Sequence, residues 1–111
     1  MENKPLSELI GHFLEYLEIE KNSSKLTIRN YRHYLQVFEK WYSATLPGKS
    51  VEDLHLGIIR KYRVSLANQV DDKGNNLKKV TQNYYVIALR SFLRFLVKND
   101  VRTLEPAKIE L

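Results

Sequence analysis

The chain of 111 residues has no cysteine. Disulfides, thiolate catalysis and every cysteine-ligated zinc site are thereby excluded, and the composition fits a reducing compartment. Glycine (four) and proline (three) are scarce. There is no glycine-rich phosphate loop. Long apolar runs are missing as well. The longest aliphatic run, residues 86–89, falls far short of the roughly 20 residues that cross a bilayer. The N-terminal MENKPLSELIG has acids where a secretory signal needs basic and then apolar residues. The expectation is a cytoplasmic protein with no membrane partner. His12, His33 and His55 are too far apart to share a helical turn, so neither a metal site nor another cofactor is expected. Ser23-Ser24 reads as a capping turn, not a nucleophile.

Hydrophobic residues make up 43% and charged residues 28%, as in an ordinary folded globule, and the length suits one domain. The net charge of +5 leans toward a polyanionic partner. Its distribution says more. Glu2, Glu8, Glu15, Glu18 and Glu20 face only Lys4 in the first 20 residues. Residues 21–49 hold Lys21, Lys25, Arg29, Arg32, Lys40 and Lys49 against Glu39 alone. Residues 73–98 hold Lys73, Lys78, Lys79, Arg90, Arg94 and Lys98 with no acid. Segregation of this kind points to one basic face built from the second and fourth segments, although chance clustering in a small protein would give the same arithmetic.

Apolar spacing predicts four helices and no strand. The first covers about residues 5–21, with Pro5 at its first position. The second covers 27–44 and closes at Pro47-Gly48. The third starts at Ser50 with a capping box to Asp53, runs to 68–70, and is vulnerable to a break at Leu56-Gly57-Ile58. Residues 71–76, DDKGNN, form a polar turn or a short hairpin tip. The fourth helix covers 81–98, and 99–111 reads as an extended tail. The fold class is all-α, a small bundle of two helical hairpins.

Helices two and four repeat at an offset of 54 residues. Leu26-Thr27 matches Val80-Thr81, Tyr31 matches Tyr85, Leu35 matches Leu89, Phe38 matches Phe92, and Trp41 matches Phe95. Each threonine sits where an N-cap is expected, and the apolar residue before it can staple onto the tyrosine. If these lines point inward, Arg29, His33, Gln36 and Lys40 point outward from helix two, and Asn83, Ile87, Arg90 and Arg94 from helix four. The helix starts add Lys25, Asn30, Lys78, Lys79 and Gln82. Two helix starts side by side, with donor side chains around them, make a phosphate-binding surface, and Arg, Asn and Gln can read base edges. Two solvated amphipathic faces would carry the same pattern.

The stretches FLEYLEIEKNSSKLTIRNYRHYLQVFEKWY (13–42) and VTQNYYVIALRSFLRFLVKNDVRTLEP (80–106) resemble the N-terminal domain of the tyrosine recombinases, the Xer-type recombinases and phage integrases. The resemblance implies a SAM-like core-binding domain over residues 1–100 and, over 101–111, the start of a linker to a C-terminal catalytic domain. It implies duplex DNA as partner, clamped at the recombination core site through helices two and four, and other recombinase protomers in a synaptic complex, met through helix one. Carried over by position, DNA contacts fall on Lys25, Thr27, Arg29, Asn30 and His33, and on Lys79, Thr81, Asn83 and Tyr84. The chain lacks the family's strand-cleaving domain, so it is expected to bind DNA without being an enzyme. None of its tyrosines is expected to be the nucleophile; Tyr31, Tyr42, Tyr62 and Tyr85 fall on core faces. A helical protein-interaction module remains the alternative. A helix-turn-helix repressor fits less well, because the connections are too long for a tight turn.

Overall fold

A computed structural model of the chain describes residues 4–111. Glu2, counted among the acids of the first segment, lies outside them. Four α-helices follow in order: α1 (Leu6–Ile19), α2 (Lys25–Thr45), α3 (Leu56–Ala67) and α4 (Lys79–Lys98), with 3₁₀ turns at Val51–Asp53 and Pro106–Lys108. Among the described residues there is no strand, and an isolated antiparallel bridge pairs Val70 with Asn76. It closes the polar turn into a hairpin tip, which Asp71 organises by accepting from the Lys73 and Asn75 N–H groups.

The inward lines of the 54-residue repeat form the centre of the bundle. Leu35, Phe38, Leu89 and Phe92 are all 0% exposed. Phe13 of α1 inserts between α2 and α4, with ring centroids 5.9 Å from Tyr31, 5.7 Å from Phe92 and 5.5 Å from Phe95. A second aromatic group joins α2 to α3, where Phe38 lies edge-on to Tyr62 at 5.0 Å and stacked on Tyr42 at 5.4 Å. The Tyr42 hydroxyl donates to the Ser50 carbonyl at 2.8 Å, which ties the end of α2 to the next turn. Burial, with the Asp53 charge adding to it, pushes that hydroxyl's pKa up to about 12.

The Tyr62 hydroxyl is buried with no hydrogen-bond partner among the described residues, and burial raises its pKa. An unsatisfied buried hydroxyl costs about 1–3 kcal/mol. Tyr62→Phe keeps the ring and removes the oxygen, so it should raise stability by about 1 kcal/mol. A urea titration checks this; a variant less stable than the parent would mean that the hydroxyl has a partner.

Helix ends depart from the expected positions in informative ways. The cap of α2 is Ser24, whose Oγ accepts from the Thr27 N–H at 3.1 Å; Lys78 holds the cap position of α4 and makes no side-chain cap bond. Thr27 and Thr81 therefore sit inside the first turns and are not N-caps. The expected staples are also absent, since Leu26 is 57% and Val80 52% exposed. Ser24 one turn earlier offers the same hydroxyl, and the helix takes the additional residues. The capping box of Ser50 and Asp53 is present, and the Ser50 N–H bond holds the Asp53 carboxyl below its usual pKa. It caps only a 3₁₀ turn. The third helix is not continuous from Ser50: the chain is extended at Leu54 and His55, and His55 caps α3 by accepting from the Gly57 N–H. A Cβ on Gly57 would lie 2.9 Å from His55 Cε1, so the glycine makes room for the cap that restarts the helix. Asn22 and Asp100 take positive φ after α1 and α4, as helix-ending Asn and Asp can.

The extended tail expected over 99–111 is folded instead. Val101, Leu104, Pro106 and Ile109 are buried, and the Thr103 hydroxyl donates to the Val51 carbonyl at 2.8 Å. Apolar residues at these positions bury area worth about 25 cal/mol per Å², which a solvated tail would forgo.

Candidate nucleic-acid interface

Helices α2 and α4 pack on each other. Tyr34 meets Tyr85 with ring centroids 4.7 Å apart, whereas Thr27 shares a groove with Ser91 and Arg94. The stretch of α4 from Lys79 to Ser91 spans roughly 18 Å at 1.5 Å per residue. Thr27 also shares a groove with Tyr84 in the second turn of α4, so the start of α2 faces much of the length of α4 and does not pair off with its start alone, as the repeat had implied.

On α2 the outward line is as expected. Lys25, Arg29, Asn30, His33, Gln36 and Lys40 are exposed. Thr27 is half-buried and turned toward α4. His33 is less free than its position implied, because its Nε2 lies 3.1 Å from the Tyr85 hydroxyl. Burial, and then the neighbouring Tyr34, raise the pKa of that hydroxyl, so Tyr85 stays a neutral partner for the histidine.

The candidates on α4 divide between two flanks. Tyr84, 49% exposed, and half-buried Ile87 face α2 across a groove that also holds Thr27, Asn30, Tyr31 and Tyr34. Ile87 is thus a groove wall and does not belong to the outward line. Lys79, Gln82 and Asn83 face the other way, into a groove against α3 that includes Arg63. Gln82 also donates from Nε2 to the Leu77 carbonyl at 2.9 Å. Lys78 is exposed and Thr81 half-buried at the helix start. Arg90 differs most from expectation. It is half-buried, and its Nη1 donates to the Ile109 carbonyl at 3.2 Å. No acid stands at helical spacing from it, but the folded tail supplies an acceptor that spacing along the helix could not reveal.

Electrostatics favour the α2–α4 side. The ion pairs among the described residues are Lys4–Glu8 and Arg102–Glu52, both 3.8 Å and exposed; neither takes a cation from α2 or α4. The groove between α1 and α2 is acidic by contrast, with Glu15, Glu18 and Glu39 around Arg32. The basic face is therefore bounded by acid on the α1 side. Sequence reasoning missed Lys21 and Lys98, whose ammonium groups lie 5.9 and 5.8 Å from the centre of the Tyr16 ring. Nothing in the linear pattern joins α1 to the far end of α4. No helix among the described residues is long and apolar enough to cross a membrane, and no three His, Asp or Glu side chains among them gather as a metal site.

Residues 10–100 match the family described as phage integrase, N-terminal SAM-like domain. The chain is similar to the tyrosine recombinase XerC of Pediococcus pentosaceus, 31% identical over 92% of this chain and 32% of that protein. It is similar also to those of Pelobacter propionicus (29%, over 96% and 33%) and Bacillus licheniformis (33%, over 80% and 27%). The chain spans about a third of the length of these curated relatives. By the same standard of significance no solved structure matches it. The match runs from inside α1 to just past α4 and so takes in most of the helical core, and the chain belongs to the phage integrase N-terminal SAM-like domain family.

Proposed function

We propose that the chain is the DNA-binding, core-binding part of a site-specific tyrosine recombinase, which holds duplex DNA through α2 and α4 while a separate C-terminal domain cuts and rejoins strands. The observation that carries this reading is the set of exposed cations on α2 and α4 with no acidic partner among the described residues. Phosphate contacts need such groups, and a structural ion-pair network would have consumed them. The relatives' name, tyrosine recombinase, supports the recombinase role. The acidic α1 suits contact with other protomers better than contact with DNA. We read residues up to Ile109 as part of the folded unit, because Val101, Leu104 and Ile109 are buried; a linker to the catalytic domain then starts later than residue 101. A cytoplasmic location accords with work on DNA.

The test is a titration of a labelled duplex with the purified chain at several salt concentrations. Binding is expected in the range of about 10⁻⁴–10⁻⁶ M, with a log–log salt slope of about −0.9 for each phosphate contacted. No covalent protein–DNA adduct should form. Absence of any duplex binding would favour the alternative, a helical protein-interaction module.

A further inference from the structure

The groove between α2 and α4 does not end at the residues considered so far. Thr27 and Tyr31 line it and also line a second groove, which continues toward the end of α1 and the last turns of α4. In that continuation Lys21, Arg94 and Lys98 stand around Tyr16, with the hydroxyl residues Ser23 and Ser91 beside them. Lys21 lies just past the end of α1 and Lys98 ends α4, yet both ammonium groups sit within 6 Å of one ring centre, close enough for cation–π attraction. No acid pairs with any of the three cations among the described residues. Three like charges gathered without a counter-charge create a positive potential that an anion relieves.

We infer that this end of the trench, where Lys21, Arg94 and Lys98 converge on Tyr16, seats backbone phosphates of duplex DNA. The inference rests on the DNA-binding reading above and extends it to Lys21 and Lys98, which neither the 54-residue repeat nor the family resemblance marks, and joins them to Arg94 of the repeat's outward line. Charge complementarity selects the occupant. The site offers cations and hydroxyl donors, which suit phosphate oxygens, and it has no Asn or Gln side chain to read an adenine edge. Tyr16 holds the two lysines in place, so less side-chain freedom is lost when a phosphate arrives. The continuity at Thr27 and Tyr31 lets one duplex engage α2 and this site together.

The experiment compares the full chain with the double variant Lys21→Gln, Lys98→Gln, with the single variant Arg94→Gln, and with the control pair Arg60→Gln, Lys61→Gln on α3. Fluorescence anisotropy of a labelled duplex is read from about 50 to 200 mM salt, and thermal melting confirms each fold. The double variant should flatten the log–log slope by about 1.8 and Arg94→Gln by about 0.9, with affinity at the lowest salt reduced at least tenfold in the former. The control pair should leave the slope unchanged. A parent-like slope in the double variant and in Arg94→Gln overturns the inference while leaving the DNA-binding reading intact, and so does a control pair that flattens the slope as much. If the parent chain binds no duplex, the underlying reading fails and this inference with it.

Discussion

Phe92→Ala is expected to cost about 3–5 kcal/mol of folding stability. Phe92 is 0% exposed near the middle of α4, and its ring meets Phe13 of α1 at 5.7 Å. Truncation therefore leaves a cavity in the centre of the bundle, beside the ring of Phe13. A domain of this length has about 5–15 kcal/mol in total, so the loss is about a fifth or more of what holds it folded. Phe38, the repeat partner of Phe92 and also 0% exposed, should behave alike, since its ring packs on Tyr42 and Tyr62. Denaturant unfolding checks both: the midpoint should fall sharply while the slope with denaturant stays near that of the parent. A loss below about 1 kcal/mol, the range of a partly exposed side chain, would mean that the two inward lines do not form the centre of the bundle.

Those inward lines were legible because helical periodicity repeats, and a pattern that recurs at a fixed offset filters out accidental spacing. Leu35, Phe38, Leu89 and Phe92 were placed by that repeat, and the four-helix order by the apolar spacing along the chain. What could not be read has a common cause: it depends on partners far away in sequence or on competition between near-equal local choices. Thr27 was expected to cap α2, but Ser24 offers the same hydroxyl one turn earlier and gains three more helical residues. The tail was expected to be extended, because Pro106 and mixed polarity carry no periodic signal; only the folded bundle presents the surface that Val101, Leu104 and Ile109 cover. The site was legible as a charge pattern and illegible as a geometry. The unpaired cations were visible, but the packing of α4 against both α2 and α3 sends Lys79, Gln82 and Asn83 to the α3 flank and Tyr84 to the α2 flank. It also brings Lys98 to a tyrosine of α1.

Arg29 and Arg90 occupy similar outward lines on α2 and α4, and reversing their charge is expected to give opposite results. Arg29 is exposed, and its neighbours at helical spacing are Lys25, Leu26, Arg32 and His33. Nothing among them pairs with it, so Arg29→Glu should change stability by about 0.5 kcal/mol or less, as exposed substitutions do. On the proposed DNA face the same change replaces a charge-assisted phosphate contact, worth about 1.5–3 kcal/mol, by repulsion. Duplex affinity should fall more than tenfold, and the log–log salt slope should flatten by about 0.9. Arg90 is half-buried and donates to the Ile109 carbonyl. Glutamate there removes the donor and sets a carboxylate against the orphaned carbonyl, at a cost of about 1–3 kcal/mol. The tail should loosen, with faster amide exchange over residues 101–109, while DNA affinity at a temperature where the domain stays folded changes by less than threefold. Melting curves and anisotropy on both variants separate the two roles. If Arg90→Glu abolishes binding with an unchanged melting midpoint and Arg29→Glu does not, then DNA lies against the tail side of α4, and the exposed ridge of α2 is a solvated surface.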